Sequence, residues 1–96
     1  MDVREKNYVL LRDVLEKAYK RASEGKGEER HAKGLPFEKQ SWHDICEHHG
    51  IGFVLGQAEK KSIEQYGLPK EQRIDELLDV IVYTSMCIIK LEEEEE

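Results

Sequence analysis

The stretch Leu77-Leu78-Asp79-Val80-Ile81-Val82-Tyr83-Thr84-Ser85-Met86-Cys87-Ile88-Ile89-Lys90-Leu91 decides the fold. It is too long and too continuously apolar for the alternation of a half-buried strand, so it predicts a helix. Wound at about 3.6 residues per turn, its apolar side chains fall on nearly every face. A helix of that kind is buried on more than one side. In a chain of 96 residues the second side is most easily covered by another subunit, so self-association through this helix is expected.

Working outward, Tyr66-Gly67-Leu68-Pro69 reads as a stop followed by a start, with glycine suited to a left-handed C-terminal position and proline to the first helical one. Before it, Ser41 with Asp44 three residues later forms an N-cap pattern for a second helix. Trp42, Ile45, Cys46, His49, Phe53, Ala58 and Ile63 are its expected inward positions, and Gly50 and Gly52 are points where it can bend. From Val3 to Ala22, the positions Tyr8, Leu11, Leu15, Ala18 and Ala22 line one face of a first helix, widened by Val9, Leu10, Val14 and Tyr19. Residues 24–40 hold three glycines, a proline and no periodicity, and read as a functional loop. The expected fold is all-α: one domain, 1–96, of three helices, a helical hairpin plus an N-terminal helix, assembling as a homo-oligomer. Its acidic end, 92–96, is expected to fray.

Composition limits the function classes. Charged residues make up 38% of the chain and mean hydropathy is −0.72, with no apolar run of the roughly 20 residues that span a bilayer. Neither a membrane role nor a secretory leader is expected, and the location expected is cytoplasmic, with Cys46 and Cys87 as reduced, core-like thiols. A net charge of −6 argues against a sequence-independent grip on duplex nucleic acid, which depends on many phosphate-neutralising cations. A small anion in a local basic pocket stays open.

Three constellations carry chemistry. Lys26, Arg30, His31 and Lys33 lie among glycines in the loop, where side-chain donors and open N–H groups suit phosphate. The plain alternative is a solvated loop paired with Glu24, Glu28 and Glu29. Gly50, Gly52 and Gly56 follow in the second helix; without a preceding strand they are no dinucleotide fingerprint, and they let a helix or a flat ring approach the backbone. Lys60 and Lys61 continue that helix within reach of an anion, and Trp42 or Phe53 offers a ring for base stacking. The run from His43 to His49 places His43 with Glu47, and Asp44 with His48, on shared helix faces, a weak metal pattern lacking a distant partner. Glu76 and Asp79, three apart, form a carboxylate pair able either to hold magnesium or to be neutralised by Arg73 or a lysine of the second helix.

Glu76-Leu77-Leu78-Asp79-Val80-Ile81-Val82-Tyr83 resembles the second half of the motif of MazG-like all-α nucleoside triphosphate pyrophosphohydrolases. That resemblance implies magnesium held by Glu76 and Asp79. The family's earlier Glu-Glu-x-x-Glu set has no counterpart, since Glu59 and Glu64 are spaced differently. Gly25-Lys26-Gly27, Glu29-Arg30-His31, Pro36-Phe37-Glu38, Gln40, Gly52-Phe53, Gly56-Gln57-Ala58 and Lys60-Lys61 resemble small tailed-bacteriophage proteins of no assigned activity. In size and helical character the chain is also similar to phage sponges that sequester cyclic nucleotide immune signals. Binding without turnover is therefore expected, at Lys26, Arg30, His31, Trp42, Phe53, Lys60 and Lys61, with no cofactor. The alternatives are a magnesium-dependent pyrophosphohydrolase and a non-catalytic structural or interaction protein.

Overall fold

The computed structural model describes residues 2–24 and 34–94. Every regular element among them is helical: α1 Val3–Asn7, α2 Val9–Glu24, α3 Ser41–His49, α4 Gly52–Glu64 and α5 Lys70–Glu93, with 3-10 turns at Phe37–Lys39 and Gln65–Gly67. The all-α expectation holds, and the three expected rods are resolved into five helices.

Two breaks account for the difference. At Tyr8 the first rod is interrupted by a turn whose N–H returns to the Glu5 carbonyl, while Asp2 caps α1 by accepting from the Glu5 N–H at 2.9 Å. At Gly50 the second rod ends outright. This glycine takes φ 78° and ψ 178°, a region essentially closed to residues with a Cβ, and its N–H closes on the Cys46 carbonyl. The helical phase is therefore reset between α3 and α4. Trp42 and Cys46 of α3 and Ala58 of α4 are buried as expected, but the other inward residue of α4 is Val54. His49, Phe53 and Ile63, which a continuous helix would turn inward, are exposed.

Helix ends also depart from the expected pattern. Gln40, not Ser41, is the N-cap of α3, and its amide donates to the Leu35 carbonyl. Pro69 caps α5 from outside the helix, as its missing N–H permits, and Gly67 lies in a 3-10 turn without positive φ. The acidic end does not fray at Glu92: α5 runs through Glu93, which is tied to His43 and Lys90.

α5 is the central element, with α2, α3 and α4 packed on it. The core is small: Trp42, Cys46, Val54, Met86 and Cys87, flanked by Phe37, Ile51, Val82, Tyr83 and Ile89. Val54 is its only fully buried side chain among the described residues. Cys46 and Cys87 are free, and burial raises the pKa of both thiols. No helix of the described residues is long and apolar enough to cross a membrane.

Candidate functional site

α4 separates its chemistry between two faces. Its buried side carries Val54 and Ala58, with the half-buried Lys61 beside them facing α5. Its solvent side carries Phe53, Gly56 and Lys60 at intervals of three and four residues, so the three lie in one row. Phe53 is 41% exposed, and a Cβ placed on Gly56 would meet nothing within 4 Å. Lys60 stays at the surface, its nearest carboxylate among the described residues being Glu64 at 4.0 Å. The result is a shelf: a ring, a length of main chain without side chain, and an ammonium group one turn further on. Among the described residues a Cβ on Gly52 or Gly56 would meet nothing within 4 Å, so close packing against a described helix is not what these glycines serve.

Lys61 does something else. Its ammonium group lies 2.9 Å from Asp79 Oδ2 and 3.2 Å from Glu76 Oε2. Asp79 also accepts from Arg21 Nε at 2.6 Å and Nη2 at 3.3 Å, and Asp75 lies 3.7 Å from the same guanidinium. Burial pushes the Asp79 carboxyl up, and the hydrogen bonds from Arg21 and Lys61 more than reverse this, leaving it below its usual range. Burial likewise disfavours charge on Lys61, but Asp79 and Glu76 overcome it and hold the ammonium above its usual value. The network ties α2, α4 and α5 together. Neutralisation of the Glu76–Asp79 pair thus comes from Lys61 and Arg21; Arg73 instead donates to the buried Gln65 at 2.8 Å and lies 6.0 Å from the Tyr66 ring centroid.

That arrangement does not fit a magnesium pair. Two protein cations already sit on the carboxylates, and a divalent ion would have to displace both while finding further oxygen ligands. No catalytic step is derived through it.

Trp42 is likewise committed. Its indole N–H donates to the Phe37 carbonyl at 2.8 Å, and its ring packs at 5.3 Å from Phe37 inside the core, so it offers no open face to a base. Of the two rings expected to stack, only Phe53 presents an exposed face. Lys26, Arg30 and His31, with Lys33, lie outside the described residues.

A second cluster was legible in the sequence only in part. His43 Nε2 lies 2.7 Å from Glu93 Oε2 and 3.9 Å from Glu47 Oε1, so these three residues bring potential ligand atoms together. The expected pair, His43 with Glu47, thus gains its missing third member from the far end of α5. Lys90 occupies the same cluster, hydrogen-bonded to Glu47 and 3.4 Å from Glu93. These bonds lower the pKa of both carboxylates and raise that of the lysine. The arrangement is that of an ion-pair clasp between α3 and the C-terminal turn of α5.

No protein-family model matches the chain, and neither does any curated protein or any solved structure.

Proposed function

We propose that this chain is a small binding protein of the tailed-phage type that sequesters a phosphorylated nucleotide-like ligand, such as an immune-signalling nucleotide, without turning it over. In this account it works in the host cytoplasm as a homo-oligomer assembled through α5.

One observation carries the proposal: Phe53, Gly56 and Lys60 form a single solvent-facing row on α4. An aromatic ring stacks on any base, the bare backbone at Gly56 lets a flat group lie close, and Lys60 supplies charge for a phosphate. The start of α4 adds to this, since it has no side-chain cap and its dipole places positive potential beside Phe53. Lys26, Arg30 and His31 are assigned the remaining phosphate contacts. Lys61 is assigned to the ion network, where its charge is already balanced. Turnover is not assigned, because Glu76 and Asp79 are engaged by Lys61 and Arg21.

The test is titration calorimetry of the full chain against a nucleoside triphosphate and a cyclic dinucleotide, with chromatography of the recovered ligand after incubation with magnesium. Binding with the ligand returned unchanged is expected. The double variant Phe53→Ala plus Lys60→Ala should lose at least about tenfold in affinity, since stacking on one ring alone contributes about 1–3 kcal/mol. Pyrophosphate release would replace the proposal with the hydrolase. Absence of heat with every nucleotide would leave a plain interaction protein.

A further inference from the structure

Ile74, Leu77, Ile81, Thr84, Ile88 and Leu91 succeed one another along α5 at alternating intervals of three and four residues. These are the a and d positions of a heptad, with isoleucine at every a and leucine at two of the three d positions. The row lies opposite Asp79 and Met86, which face the protomer's own packing side, where Asp79 meets Arg21 and Lys61. Nothing among the described residues covers it well: Ile74, Leu77, Ile88 and Leu91 are between 40% and 53% exposed, and Thr84 is exposed.

Three observations name the occupant. The first is self-complementarity. Four of the row's five apolar members, Ile74, Leu77, Ile88 and Leu91, are 40% or more exposed, and the same heptad row on a second copy supplies the apolar knobs that cover them. The second is Thr84, the one polar member of the row. Its hydroxyl donates to the Val80 carbonyl at 2.8 Å, so it enters a dry interface without an orphaned donor. The third is charge. α5 closes with Glu92, Glu93 and its C-cap Glu94 against the single cation Lys90, whereas its opening residues are mixed, Lys70 and Arg73 standing among Glu71, Asp75 and Glu76. A parallel pairing would crowd two acidic ends together, whereas an antiparallel one separates them by the length of the helix and opposes the helix dipoles.

We propose that α5 pairs with α5 of a second copy of this chain as an antiparallel, two-fold symmetric seam. The axis passes between Ile81 and Thr84. Each layer then joins Ile74 to Leu91, Leu77 to Ile88, or Ile81 to Thr84 across the interface. This deepens the self-association assigned above by giving it a face, an orientation and a register, and it is independent of the ligand.

Sedimentation equilibrium of the full chain tests it with Leu77→Glu and Ile88→Lys. Both positions are exposed in the protomer, so helical circular dichroism should be unchanged. Each variant alone should be monomeric, and an equimolar mixture should restore a dimer, because residues 77 and 88 share a layer only in the antiparallel seam. Thr84→Leu, which exchanges a hydroxyl for apolar burial at two symmetric places, should tighten dimerisation at least about tenfold. A wild-type dimer whose two variants stay monomeric when mixed would overturn the orientation. Variants that remain dimeric alone would overturn the seam while leaving self-association standing elsewhere. A monomeric wild type whose Thr84→Leu variant is also monomeric would overturn self-association itself, with the calorimetric result on nucleotides unaffected.

Discussion

Replacing Asp79 by Asn keeps the shape of the side chain and removes the charge that joins α2 and α4 to α5. In the wild type that carboxylate accepts from Arg21 at 2.6 Å and lies 2.9 Å from the Lys61 ammonium. Hydrogen bonds to charged groups contribute about 1.5–3 kcal/mol each, and breaking a fully buried pair costs about 3–5 kcal/mol. Here the side chains are 20–38% exposed, Glu76 still holds Lys61, and Asp75 stays near Arg21, so solvent and the remaining acids offset part of the loss. Destabilisation of about 2 kcal/mol is expected, which for a domain of this size lowers Tm by about 10 °C. The pH dependence adds a second readout. Because the folded Asp79 pKa is depressed, its contribution is complete above the unfolded value of about 3.9 and is lost as pH falls through the folded value. Thermal melts of wild type and Asp79→Asn should therefore differ by a constant amount from neutral pH down to about pH 5 and converge at lower pH. Equal stability at pH 7, or a gap that persists undiminished at pH 2, would refute the reasoning.

Further outcomes follow from particular positions. Gly50→Ala should cost about 1–3 kcal/mol in chemical denaturation, because φ 78° with ψ 178° strains any residue with a Cβ. Gly56→Ala should do the opposite, raising stability by about 1 kcal/mol through helix propensity since its Cβ meets nothing, while weakening nucleotide binding in calorimetry if a ligand lies on that backbone. Val54→Ala should lower stability by about 2–3 kcal/mol and blunt the near-ultraviolet dichroism of Trp42, its neighbour in the core cluster.

Much of the fold was legible because periodicity alone reports which residues need cover. The all-round apolar character of Leu77 to Leu91 correctly marked the central helix, and the turn at residues 66–69 correctly marked its start. Gly50 was the point of failure. A glycine inside a helical pattern can bend a helix or end it, and only the tertiary packing decides which; once it ends the helix, the phase shifts and Phe53 moves from core to surface while Val54 takes its place. Trp42 misled for a related reason, since an aromatic side chain suits a core and a stacking platform equally until its N–H finds the Phe37 carbonyl. The neutralising lysine for Asp79 was foreseeable as one from the second helix, but Arg21 was not, because nothing local links residues 58 positions apart. Glu93 joined His43 for the same reason: in sequence it is one of a uniform acidic run.

The most direct test of the central claim is native mass spectrometry of the full chain purified gently from producing cells. A phosphorylated small molecule should travel with the wild-type assembly, be released chemically intact on denaturation, and be absent from the Phe53→Ala plus Lys60→Ala variant. A wild-type assembly at its bare polypeptide mass, or a ligand retained equally by the double variant, would contradict the account.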